Sequence, residues 1–252
     1  MEFCEIQRIL VKKRQQVIKM EELDKATLLK RRGIATVRFY AESCMASIIR
    51  PRVGRCRQSV SVRNDELDNQ RIAASRNKRN LKLLVRKNRP THFVTLTFST
   101  PTQASTAAKV WNQLAGKWRR RFRGFYVRVG EISNKKNLHF HVLCSKDVAE
   151  YLKTNWTYGF VDSQKIRFSD LDKVCNYISK DFANPNRPFQ RRFVASKGSR
   201  PKFEEMQFAT VNDALDGVAE MRHDSLSALD VSLSQTTFGE YGEVTWNPDT
   251  DL

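Results

Sequence analysis

Between residues 90 and 182 two hydrophobic periods follow one another in a fixed order, and that order limits the available folds more than any other feature of the chain. HFVTLTF (His92 to Phe98) is rich in β-branched and aromatic residues and reads as a strand ended by Pro101. Ala107, Val110, Trp111, Leu114 and Trp118 then recur at helical spacing up to the basic end WRRRFR. FYVRVGEI (Phe125 to Ile132) reads as a second strand, Ser-Asn-Lys-Lys-Asn as a turn, and LHFHVLC (Leu138 to Cys144) as a third strand. Ser145 is placed to cap a helix carrying Val148, Tyr151, Leu152 and Trp156, and GFVDSQKIRF is expected to form a fourth strand. The order β-α-β-β-α-β predicts an α+β fold with the split βαβ antiparallel sheet of ferredoxin-like and RNA-recognition-motif domains. Such a sheet has its first and third strands in the centre and both helices on one face, and the other face is expected to stay open.

That expectation gives meaning to two of the chain's four histidines. Successive strand residues point to opposite faces, so Leu138, Phe140 and Val142 share one face while His139, His141 and Leu143 share the other. With Phe140 under the helices, both imidazoles point to the open side. Glu131 joins them if the hairpin register allows it. A loop of Asn134, Lys135 and Lys136 pairs Glu131 with His139, whereas a two-residue loop sets Glu131 against Leu138 on the wrong face. Two imidazoles and a carboxylate suit a divalent cation, Mg²⁺ or Mn²⁺, able to polarise a phosphodiester oxygen. The plainer alternative is a pair of hydrogen-bonded sheet histidines.

After the fourth strand, SDLDKVCNYISKDF has Ser169 and Asp172 at capping-box spacing, and Leu171, Val174, Cys175 and Ile178 as an apolar stripe. Tyr177 and Lys180 are then neighbours at i and i+3 on the flank of that stripe, with Lys173 nearby. A tyrosine beside a cation can serve as a nucleophile toward phosphate, although its ordinary pKa of about 10 calls for a polarised phosphate or a base. An ordinary amphipathic-helix tyrosine is the alternative.

Charge points to the partner. The 252 residues carry a net +18, distributed unevenly: residues 1–202 hold 44 Lys/Arg against 16 Asp/Glu, and residues 203–252 hold one against eleven. A basic body of this kind is the footprint of a phosphate-rich partner. The expected organisation is a basic, partly helical N-terminal arm over residues 1–89, a domain over 90–202 and an acidic C-terminal segment over 203–252. Within the arm, RIAASRNKRNLKLLVRK reads as a helix and IIRPRVGRCRQSV as irregular. The tail suggests a helix around Val211 to Met221 and a small hairpin in TTFGEYGEVTWNPD, shielding the basic surface or recruiting a host helicase or polymerase. Five scattered cysteines without a C-x-x-C pair argue against a disulfide framework or zinc knuckle. No secretory signal and no run of 18 apolar residues is seen, which predicts a cytoplasmic protein with no membrane partner. No Walker-type run suggests a fused helicase. Phe93, Trp118, Phe122 and Phe125 invite a base-stacking reading, but most are assigned to the core.

Taken together, HFVTLTF, LHFHVLC and NYISKDF, with RVGE ending at Glu131, resemble in order and spacing the motifs of single-tyrosine HUH endonucleases. These initiate rolling-circle replication of small single-stranded DNA phages and plasmids. The resemblance extends over roughly residues 71–202, taking in RIAASRNKRNLKLLVRKN and RRFVASKG. It implies His139, His141 and Glu131 as ligands of Mg²⁺ or Mn²⁺, Tyr177 as nucleophile and Lys180 as its helper. Lys173, Arg119, Arg120, Arg121, Lys135 and Lys136 are the candidate DNA contacts. The implied activity is nicking and joining of single-stranded DNA at an origin hairpin through a 5′-phosphotyrosine, leaving a 3′-OH for a host polymerase. A lone tyrosine leaves the second strand transfer open, with a second subunit as one solution. Two other readings stand beside it: a single-tyrosine HUH transposase, and a basic RNA-recognition-motif-like binding module in which the histidines stack or hydrogen-bond without catalysis.

Overall fold

A computed structural model describes residues 34–51, 66–121, 124–132, 137–196, 200–222, 229–236 and 239–247. In chain order the elements are β1 (Ala35–Tyr40), β2 (Met45–Pro51), α1 (Glu66–Asn88), β3 (His92–Phe98), α2 (Ala104–Arg121), β4 (Tyr126–Ile132), β5 (Leu138–Cys144) and α3 (Lys146–Asn155). They continue with β6 (Gly159–Lys165), α4 (Leu171–Ile178), β7 (Val194–Ala195), β8 (Glu204–Phe208), α5 (Val211–Arg222), β9 (Asp230–Thr236) and β10 (Gly239–Thr245). The fold is α+β, with two antiparallel sheets and five helices among the described residues. The chain divides into two compact units, residues 61–201 and residues 1–60 with 202–252.

The unit of residues 61–201 is built on a sheet of order β6-β3-β5-β4-β7, with β3 and β5 inside. Strand alternation sends Val94, Leu96, Phe98, Phe140 and Val142 to one face, where Trp111, Trp118, Val148 and Leu152 of α2 and α3 cover them. The tryptophan rings meet edge to face, 5.3 Å between centroids, and both are almost fully buried. Ser145 stands at the N-cap of α3, as its sequence suggests, but makes no side-chain cap hydrogen bond. The fifth strand, β7, comes from the RRFVASKG segment and pairs with β4 at Val127 and Arg128.

The second face of this sheet is not left open. Helices α1 and α4 pack over its β4 and β5 half, with Leu81, Val85, Leu171, Cys175 and Ile178 against Val127, Val129 and Leu143. The physical reason is apolar area: a fully buried aliphatic side chain contributes roughly 1.5–3 kcal/mol, and these strand residues would otherwise face water. An ion pair adds to the seam. Arg86 Nη1 lies 3.0 Å from Asp172 Oδ2, and the Arg86 guanidinium sits over Phe168. Residues 71–87 therefore belong to a helix, α1, that supports α4 rather than to a free arm. What remains exposed on this face is the β6 edge, with Phe160, Asp162 and Gln164.

The start and end of α4 also differ from the sequence reading. The expected capping box of Ser169 and Asp172 does not form; the Arg167 backbone N–H donates to Asp170 Oδ2 across a 3₁₀ turn, Phe168–Asp170, and Asp172 is engaged by Arg86. The helix stops at Ile178, so Lys180 lies in the turn that follows, its N–H bonded to the Tyr177 carbonyl.

The other unit corrects the picture of an arm and a tail. Residues 48–51 of the stretch read as irregular are the end of β2, and β1 and β2 pair with strands of the acidic segment in a sheet of order β8-β1-β2-β10-β9. Neither stretch can satisfy its backbone groups alone, and antiparallel pairing of chain-distant strands does so for both. The expected tail helix is α5. The hairpin expected within TTFGEYGEVTWNPD starts earlier than that stretch: its first strand is β9, Asp230–Thr236, and the stretch supplies only the second strand, β10. The rest of the basic stretch, residues 1–33 and 52–65, lies outside the described residues. No described helix is long and apolar enough to cross a membrane.

Candidate active site

The β4–β5 register puts Glu131 opposite His139 and Val129 opposite His141, which is the arrangement the three-residue loop requires. On the other side of β5, Thr97 faces His139 and Thr95 faces His141. Each threonine hydroxyl meets an imidazole: Thr97 Oγ1 is 2.8 Å from His139 Nδ1, and Thr95 Oγ1 is 3.3 Å from His141 Nδ1. The two rings are held nearly parallel, with centroids 6.4 Å apart. Fixing Nδ1 in this way leaves Nε2 as the working nitrogen of each ring.

Glu131 joins three elements. Its Oε2 is 3.0 Å from His141 Nε2, and its Oε1 is 2.8 Å from Lys180 Nζ. Burial alone would raise the carboxyl pKa; the Lys180 ammonium and the His141 ring outweigh it and hold Glu131 below its ordinary value. Burial lowers both histidines against the pull of Glu131, so they favour the neutral, ligand-competent form. The hydrogen bond to Glu131 raises Lys180, keeping it charged.

Tyr177 completes the group from α4. Its ring lies 5.6 Å from the His141 ring and 6.4 Å from that of Phe93, centroid to centroid, and Lys180 Nζ is 4.7 Å from its centroid. The tyrosine is 49% exposed, so its ring is open to solvent. Lys173 is exposed on the same helix, one turn before Tyr177.

Not every expected contact comes to this face. Arg119 and Arg120 are exposed on α2, which covers the opposite face of the sheet, and Arg119 Nε donates to the Ala115 carbonyl. Arg121 ends that helix. Lys135, Lys136 and Phe122 lie outside the described residues. Trp118 is core, and Phe93 stacks against His141.

Sequence reasoning missed Thr95 and Thr97, although their alternation in HFVTLTF marks them as sharing the histidine face. It also missed Arg187, Arg191 and Arg192, which line a cavity of about 70 Å³ together with Glu131 and Gly130. Burial, with Arg187 close by, lowers the Arg192 guanidinium. Arg128 is a third omission. It lies beneath the sheet, 4.3 Å from the Phe140 ring centroid and near Trp111 and Phe189, and burial pushes it down to about 10.

His139, His141 and Glu131 fit a divalent cation in kind, as two imidazoles and a carboxylate on one face with both Nδ1 atoms held by hydroxyls. As the side chains stand they are not gathered round a common point. Among the described residues no group of three His, Cys, Asp or Glu is set to hold a metal ion, because Glu131 directs its oxygens to His141 and Lys180.

Residues 91–184, well under half of the chain, match the model of a family described as replication-associated protein ORF2. The matched segment runs from the start of β3 past Lys180, and so contains Thr95, Thr97, Glu131, His139, His141, Tyr177 and Lys180, while Arg187, Arg191 and Arg192 lie beyond it. No curated protein and no solved structure matches the chain. The family match supports a replication initiator.

Proposed function

We propose that this chain initiates rolling-circle replication as an HUH-type endonuclease that nicks and rejoins single-stranded DNA through Tyr177. The observation that carries the reading is the Glu131 carboxylate, shared between His141 and Lys180, which draws the candidate nucleophile and the candidate ligands into one site. A site of bystanders gives no reason for that convergence, and the match to a replication-associated family lies over the same residues.

In this reading Tyr177 Oη attacks the scissile phosphorus, the bond to the 3′-oxygen breaks, and the products are a 5′-phosphotyrosine and a free 3′-OH. The phenol loses its proton and the departing 3′-oxygen gains one. Lys180 holds positive charge beside the phenol and the phosphate, while Thr95 and Thr97 fix the rings of His141 and His139. His139, His141 and Glu131 would hold Mg²⁺ or Mn²⁺, which when bound supplies charge neutralisation at a non-bridging phosphate oxygen. Attack by a 3′-OH on the phosphotyrosine reverses the chemistry and joins the strand. The new 3′-OH is a substrate for a host polymerase, with a host helicase opening the duplex.

The test is a denaturing gel for covalent protein–DNA adducts, using labelled origin strand with Mn²⁺ or EDTA. Wild type should form a metal-dependent adduct, and Tyr177→Phe should form none while binding DNA normally. Retention of DNA without any adduct, across metals and a library of single strands, would instead assign the sheet to binding alone.

A further inference from the structure

Phe160 is the most exposed large apolar side chain among the described residues, at 73%. It is not a stray surface residue. It stands opposite Thr97, and Thr97 in turn stands opposite His139, which faces Glu131. Opposite residues share a face, so Phe160, Thr97, His139 and Glu131 form one row across four strands. Two strand spacings place Phe160 about 10 Å from His139. This end of the face is the part that α1 and α4 leave uncovered.

Resting on the nicking function proposed above, we infer that Phe160 is a stacking platform for one unpaired base of the DNA strand next to the scissile phosphate. A solvated phenyl ring beside a phosphodiester site has a natural partner in a base, because every base offers a π-face. The charges on either side set the strand's orientation. Next to Phe160 on the same face of β6 are Asp162 and Gln164, the amide donating to Asp162 Oδ2 at 3.1 Å. A carboxylate there repels phosphate, whereas Lys180 and Lys173 lie toward α4. The backbone of the bound strand therefore runs on the α4 side, and its bases turn toward β6. The net charge of +18 supplies the general attraction for such a strand.

The experiment is fluorescence anisotropy with a short labelled oligothymidylate and an abasic oligomer of the same length, on the full chain in EDTA, at several salt concentrations. Phe160→Ala should weaken oligothymidylate binding about tenfold with an unchanged salt slope, and Phe160→Trp should restore it. On the abasic oligomer, wild type and Phe160→Ala should bind alike. Equal binding of oligothymidylate by wild type and Phe160→Ala, or an equal loss on both probes, would overturn the platform. The adduct assay reports separately on the nicking reading. An adduct in wild type with no effect of Phe160→Ala sinks the platform alone; no adduct anywhere, with the base-dependent loss intact, sinks the nuclease and leaves a base-stacking surface.

Discussion

The Lys180 ammonium stands 2.8 Å from Glu131 Oε1, tying the turn after α4 to the strand that leads into the histidine hairpin. Lys180 is nearly half exposed, so the pair adds little to stability, about 0–1 kcal/mol. Its consequence is positional: the pair sets one charge beside Tyr177 and holds the carboxylate next to the histidines.

Lys180→Met separates these roles. Its urea unfolding midpoint should correspond to a loss of under about 1 kcal/mol, while adduct formation should slow by roughly 10²-fold from loss of a charge aimed at the transition state. A large drop in stability with an unchanged rate per folded molecule would make Lys180 a structural residue.

Thr97→Val keeps the shape of the side chain and removes the hydroxyl facing His139 Nδ1. Mn²⁺ affinity, measured by titration calorimetry, should fall about 10–100-fold, as it does when the outer partner of a ligating histidine is removed. Stability should fall by only about 1 kcal/mol. Unchanged Mn²⁺ affinity would remove Thr97 from the site.

A methyl group on Gly130 would overlap the Phe189 ring, which packs on Phe140 and on the Arg128 guanidinium. Gly130→Ala should therefore cost about 1–3 kcal/mol by urea denaturation, because the ring must leave its place. The Gly130→Ala and Phe189→Ala costs should be less than additive, since the second change removes the clash. Full additivity would show that the ring is not what excludes the methyl.

Stability without metal should depend on pH in one direction. Burial holds His139 and His141 below the ordinary histidine value, so near pH 6 the unfolded chain binds more protons than the folded one. Stability is then full above about pH 6.5 and declines as pH falls through it. Glu131, also held low, continues the decline as pH falls below about 4.5 toward its folded value. Urea midpoints in EDTA should drop between about pH 8 and 5.5, and His141→Gln should flatten that slope. A slope unaffected by the substitution would place the titration elsewhere.

The amino-acid sequence carries the local elements and narrows one local pairing to two registers. The β3-to-β6 run is legible because strands and helices announce themselves by periods of two and 3.6, whereas Glu131 faces His139 for a three-residue loop and not for a two-residue one, a choice that the β4–β5 register of the fold makes. The motif order also pointed to Tyr177 and Lys180. Only the tertiary structure decided what those elements pack against. The IIRP end of β2 carries no alternation that names β10 as its neighbour, nearly two hundred residues away. Nothing in RIAASRNKRNLKLLVRKN announces that Arg86 pairs with Asp172, or that α1 and α4 cover half of a face read as open. The same covering made Phe160 the exposed end of the site row. The reason is physical: periodicity records which side of an element is apolar, but the partner of that side is chosen by long-range burial, which no local window contains.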